Sequence, residues 1–172
     1  MTANLVKNIT QISDLEEPIQ LINRVIGETC WKVCLSYADE LTLHIGAKIP
    51  YLQKSMLGKE KGEWILGTQA TYWQLECQSQ TIVSSDDNPE IIKQRINVIE
   101  NNTIANTEIN YQNLALTVDF SNECRLILLP NIASDVELPY WEMFTPYQMV
   151  LKFGPSAVWS YISSNIRTDM KS

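Results

Sequence analysis

The stretch Leu138–Tyr161, LPYWEMFTPYQMVLKFGPSAVWSY, constrains the fold more than any other part of the chain. Its apolar residues come in short runs broken by turn formers, the pattern of paired strands and not of a helix. Trp141–Phe144 reads as a strand, Thr145-Pro146-Tyr147-Gln148 as its turn and Met149–Phe153 as the return strand. Proline at the second position of a tight turn is already held near the φ that the turn requires. Gly154-Pro155 then ends the pair before a last apolar piece, Val158–Ile162. Two of the five tryptophans and two of the three phenylalanines lie here. Such rings bury the most apolar area per residue, so this hairpin is expected to carry a large part of the core.

A two-residue period runs through much of the rest. Trp31, Val33 and Leu35 alternate with Lys32, Cys34 and Ser36; beyond a turn at Tyr37-Ala38-Asp39-Glu40, Leu41, Leu43 and Ile45 alternate with Thr42 and His44. Strands are predicted at 63–69, 72–78, 104–111, 114–120 and 124–129, the last two joined across Ser121-Asn122-Glu123. Period two on both arms of a hairpin implies antiparallel, half-buried pairs. Only two segments read as helices. In the first, Leu15, Ile19, Ile22 and Ile26 share a face, Ser13 and Glu16 form a capping box, and Gly27 is the stop. The second opens on Asp86-Asp87-Asn88-Pro89-Glu90 and buries Ile92, Ile96 and Ile99. Residues 47–62, AKIPYLQKSMLGKEKG, read as a long lysine-rich loop.

The implied class is α+β: one domain over residues 1–172, a twisted, largely antiparallel sheet of about seven to ten strands with two main helices packed on it. Trp64-x-x-x-Thr68 echoes Trp141-x-x-x-Thr145, and each half runs helix, strand, hairpin, tryptophan strand. One reading is a two-fold internal pseudo-repeat, about 13–80 and 86–162. The other is that antiparallel hairpins share a common pattern.

Charge narrows the partners. The chain carries a net charge of −7 without a long run of either sign, which disfavours phosphate backbones and excludes nucleic acid as an expected partner. A basic protein is the expected partner instead. The chain opens without a leader pattern and holds no apolar run of about 18 residues. The expectation is therefore a cytoplasmic protein without a membrane partner, whose four cysteines, Cys30, Cys34, Cys77 and Cys124, are reduced thiols. No metal site is expected: on a strand Cys30 and Cys34 lie roughly 13 Å apart, and His44 is the sole histidine. No nucleotide, nucleophile-elbow or metallohydrolase motif is present, so no cofactor is expected.

Binding candidates come from the aromatic residues. Trp64, Trp73, Trp141 and Trp159, with Tyr72 and Tyr140, form either core or the wall of an apolar groove or interface. Glu142 stands between Trp141 and Met143. If both faces of that strand are covered, its carboxylate needs a partner, and Arg125 in the apolar strand 124–129 is the candidate; otherwise Glu142 is simply solvated.

GEWILGT (62–68) and LPYWEMFTPYQMVLKFGP (138–155) together resemble signatures of small bacterial proteins, some of the immunity type that neutralise polymorphic toxins. The resemblance implies an inhibitor, and no functional residue is carried over from it. Three functions follow in order. The first is a non-enzymatic acidic protein-binding module, an immunity-like inhibitor of a basic partner. The second is a small-molecule sensor or carrier with a tryptophan-lined groove. The third is a carboxylate-based hydrolase built on Glu142, Glu63 or Glu76. A homodimer that pairs sheet edges is one way to protect them.

Overall fold

Alternation decides most of the chain. A computed structural model, which describes residues 4–36, 39–69, 71–133 and 137–164, contains twelve strands and two α-helices among those residues. The strands are β1 (Leu5–Asn8), β2 (Thr29–Ser36), β3 (Glu40–Pro50), β4 (Glu60–Thr68), β5 (Tyr72–Cys77) and β6 (Gln80–Ser84) in the first half. The second half supplies β7 (Asn102–Ile109), β8 (Leu116–Phe120), β9 (Cys124–Leu129), β10 (Trp141–Phe144), β11 (Met149–Phe153) and β12 (Val158–Ser163). The helices are α1 (Glu16–Ile22) and α2 (Pro89–Arg95), seven residues each and extended by 3₁₀ turns. The sheet is thus larger, and the helices smaller, than expected. Of the two readings that Leu5, Ile9 and Ile12 allow, a helical turn or a short strand, β1 realises the strand, whereas β6 was not anticipated; both are short edge strands with too few residues to establish a period.

Two local signals resolve differently from each other. Asn88 caps α2 as expected, accepting from the Glu90 N–H at 2.9 Å with Pro89 in the first turn. At α1 the anticipated Ser13–Glu16 box is replaced by Asp14. Its carboxylate accepts from the Thr10 and Gln11 N–H groups at 2.9 and 3.1 Å. Those bonds, the Thr10 amide foremost, hold the Asp14 carboxyl below the usual range.

All twelve strands join one antiparallel sheet in the order β1-β12-β11-β10-β4-β3-β2-β7-β8-β9-β5-β6. This order cannot be flat. Five strands separate β4 from β5, about 29 Å at 4.8 Å per spacing. Yet only residues 69–71 connect them, a span of about 14 Å at most. The sheet must therefore curl until those strand ends meet. Thr71 Oγ1 and the Gln69 N–H both bond the Tyr140 carbonyl, tying the start of β10 to the same corner. Buried side chains from both halves form one apolar cluster, from Leu15 and Ile22 of the first half to Trp141 and Trp159 of the second.

The order also reads alike in both directions from the β2–β7 contact. On one side lies the meander β2-β3-β4 followed by β10-β11; on the other lies β7-β8-β9 followed by β5-β6. Each meander is completed by the hairpin of the opposite half. The registers agree as well. Leu43 faces Leu66 and His44 faces Ile65; in the other half Val118 faces Leu126 and Asp119 faces Arg125. With Leu41-Thr42-Leu43 matched to Leu116-Thr117-Val118, the same shift places Trp141 opposite Thr68 where Trp73 stands opposite Leu128. By register, then, Tyr140-Trp141 corresponds to Tyr72-Trp73, and Trp64 corresponds to Cys124, which differs from the echo expected between Trp64 and Trp141.

The expected loop at 47–62 holds over 51–59, which carries one 3₁₀ turn, but its two ends, 47–50 and 60–62, are strand. β3 and β4 continue as a two-stranded arm in which Lys48 faces Gly62, Ile49 faces Lys61 and Pro50 faces Glu60. The lysines and turn formers of this segment imitate a loop because no third strand covers the arm.

Candidate functional site

Apart from Tyr72, which is half-buried, the aromatic candidates are core residues. Trp73 and Trp141 are fully buried, Trp64, Trp159 and Tyr140 nearly so, and their rings pack in the central cluster. Trp141 stacks on Phe153 with centroids 4.3 Å apart. The Trp73 indole donates to the Asp39 carbonyl at 2.7 Å, and that of Trp159 donates to the Asp14 carbonyl at 2.8 Å. A continuous tryptophan-lined groove does not form. Trp159 lines a cavity of about 410 Å³ beside α1 that it shares with Leu5, Leu21, Leu151 and Tyr161.

Glu142 is buried, as a strand covered on both faces requires. Its carboxylate accepts from Gln69 Nε2 at 2.8 Å, and Lys152 is its cross-strand neighbour. Arg125 is not its partner. β9 and β10 lie on opposite flanks of the sheet, and Arg125 instead donates to Asp119 at 2.6 Å. The three carboxylates considered for hydrolysis, Glu142, Glu63 and Glu76, occupy β10, β4 and β5 and do not converge. Among the described residues no cluster of histidine, cysteine and carboxylate side chains has the arrangement of a metal site.

The cysteines depart from expectation. Cys77 and Cys124 form a disulfide across the β5–β9 pair. Cys30 and Cys34 are free, and burial, with Glu100 nearby, pushes the Cys30 thiol up to about 12, so it packs as a small apolar group.

Two surfaces remain. The first is the outward face of β8, β9 and β5, where Asp119, Arg125 and Glu76 form a cross-strand row. It borders a hollow of about 470 Å³ that Glu123 and the disulfide also line. Because Asp119 engages the arginine, the remaining carboxylates dominate the field there.

The second surface is the arm. Its base is a bulge between Ile45 and Lys48, and two glycines permit it. Gly46 has φ +83°, and a Cβ on Gly62 would sit on the backbone of Ile45 and Trp64. His44, buried behind the bulge, accepts the Gly62 N–H on Nδ1 at 3.0 Å. That role needs the neutral imidazole, and burial together with Lys32 lowers the pKa of His44 accordingly. Trp31 packs on His44 at 5.4 Å and carries Lys48 over its own ring at 4.9 Å. Farther out, Lys61 lies over Tyr51 at 5.5 Å. At the tip Leu52 is 94% exposed and Leu57 76% exposed.

The sequence contained a signal for the arm. Its four lysines, Lys48, Lys54, Lys59 and Lys61, surround Ile49, Tyr51, Leu52, Met56 and Leu57, an apolar content that a solvated loop does not need. Comparison with known protein families, with curated proteins and with solved structures finds no match to this chain.

Proposed function

We propose that this protein is a non-enzymatic binding module whose acidic sheet face engages a basic protein partner. The observation that carries this reading is the Asp119–Arg125–Glu76 row and the hollow beside it. Glu76, Glu123 and the neighbouring Glu108 place negative charge around an arginine that Asp119 already neutralises. The disulfide fixes the strands beneath, so little ordering is required on association. Carboxylates at the rim would accelerate encounter with a cationic surface and make the complex salt-sensitive. An inhibitor of a basic toxin, the class to which the sequence resemblance points, fits this chemistry.

The test compares wild-type protein with a Glu76→Lys/Glu123→Lys variant in affinity capture at low and high salt. A partner held by the wild type, released by salt and lost to the variant supports the reading. A partner held equally by both, or held regardless of salt, contradicts it.

A further inference from the structure

The arm has no counterpart in the other half. Ile45 and Trp64 occupy the places that Phe120 and Cys124 occupy in β8 and β9. The second pair closes through the tight turn 121–123, whereas the first is separated by residues 46–63. The same junction therefore folds without an extension, so the extension serves something other than closure. Its composition is opposite to that of the body. Residues 47–61 hold four lysines and one glutamate, a charge of +3, which leaves −10 on the rest of a chain whose total is −7.

From this inversion of charge, together with the bare leucines at the tip, we infer that the arm docks on the surface of an anionic lipid bilayer. The leucines enter the boundary between headgroups and acyl chains, and the lysines behind them meet the lipid phosphates. Among the described residues no helix is long and apolar enough to cross a membrane. Apolar groups at the end of a protrusion and cations along its shaft match the order of layers that a bilayer presents. A purely polyanionic partner such as polyglutamate would account for the lysines but not for leucines 94% and 76% exposed.

The body's negative charge does not prevent this. From Lys48 to Leu52 the arm extends about 13 Å at 3.3 Å per residue, longer than the roughly 8 Å screening length at physiological ionic strength. Net repulsion acts as an orienting force, turning the acidic face away from the membrane and the arm toward it. Each lysine brought to an anionic surface strengthens binding by roughly fivefold. Lysine stems laid over Trp31 and Tyr51 keep Lys48 and Lys61 along the shaft.

Co-sedimentation of the whole chain with vesicles of phosphatidylcholine alone, or with about 30% phosphatidylserine, tests the inference. The comparison includes Leu52→Ser/Leu57→Ser and Lys54→Glu/Lys59→Glu, all at exposed positions where folding is insensitive to the change. Binding to the anionic vesicles at least about tenfold above the neutral ones, with a loss of about tenfold or more in each variant, is the expected result. Equal binding to both vesicles, or no binding to either, overturns it. So does a leucine variant that binds as well as wild type, or soluble polyglutamate that competes through the lysines as effectively as the vesicles; either result would assign the arm to an acidic macromolecule instead. Neither arm variant alters the Glu76–Glu123 face, so this result is separable from that of the protein-binding test.

Discussion

Two matched rows of the sheet have opposite chemistry. On the outward face of one half, Asp119, Arg125 and Glu76 stand side by side across β8, β9 and β5. The corresponding positions of the other half, on β3, β4 and β10, hold His44, Ile65 and Phe144. The charged row is partly or fully exposed, while the apolar row is partly or fully buried and continues into Val150, which is wholly buried. Strand order and register are therefore compatible with either surface. What fixes them is the inward set, Leu43, Leu66 and Met143 on one side and Val118, Leu126 and Leu75 on the other, all buried. A sheet whose inner face specifies register leaves its outer face available for other roles.

The largest test of this difference is a charge placed in both rows. Val150→Asp is expected to cost about 3–5 kcal/mol, because an unpaired carboxylate would be buried. Thr81→Asp, at the exposed position next to Glu76 in the charged row, is expected to stay within about 0.5 kcal/mol. Denaturant melts of the two variants provide the comparison, and similar losses would break the contrast.

A second asymmetry lies at the next register step. The β5–β9 pair is closed by Cys77–Cys124, which spans 47 residues of sequence. Near the equivalent place Thr145 closes its own hairpin instead, its N–H and hydroxyl both donating to the Met149 carbonyl at 2.9 Å. Cys77→Ala/Cys124→Ala is expected to lower stability by about 2–4 kcal/mol. Reducing agent should then have no further effect on the variant. An unchanged melt on reduction of the wild type would remove the disulfide from the account.

The paired tryptophans sharpen the comparison further. Trp73 has an acceptor for its indole N–H, whereas Trp141 Nε1 is buried without one. Truncation to phenylalanine leaves a similar void at either site. Trp73→Phe should therefore be the more destabilising of the two, by about 1–2 kcal/mol. Equal losses would mean that the hydrogen bond contributes nothing.

His44, which stands where the other row has Asp119, gives the smallest effect. Its folded pKa lies below the ordinary 6.5, so the unfolded chain binds the proton more readily. Stability contributed by neutral His44 is fully present above about pH 6.5 and declines as pH falls from there toward the lowered value. Glu40, raised by burial, then by Asp39 and Glu142, slopes the other way. The difference between wild type and His44→Gln therefore isolates the imidazole. Removal of the acid-side decline in the variant is expected, and parallel pH curves would exclude His44 as its source.

Local signals were legible and long-range ones were not. Trp141–Phe144, Met149–Phe153 and Cys124–Leu129 are strands at the residues where alternation placed them, because their inward faces bury rings and branched chains. The hairpin turn expected at 37–40 lies partly outside the described residues. Partnership failed where strand order decides it. Arg125 and Glu142 sit on different flanks of the curled sheet, a separation that spacing along the chain does not encode. Cys77 and Cys124 meet for the converse reason, since β5 crosses to the meander of the other half. The arm was read as loop because glycine, proline and lysine mark both a loop and an uncovered ribbon. Its significance emerges only when the tight turn at 121–123 shows the junction closing without it.

The central claim is that one sheet frame carries an extension it does not need, and excising that extension tests it most directly. Residues 46–62 would be replaced by Ser-Asn, leaving Glu63-Trp64 in place to match Ser121-Asn122-Glu123-Cys124. Urea unfolding followed by circular dichroism is expected to show a single cooperative transition with the sheet signature intact. A chain that no longer folds, or that loses the sheet signature outside the arm, would contradict the account.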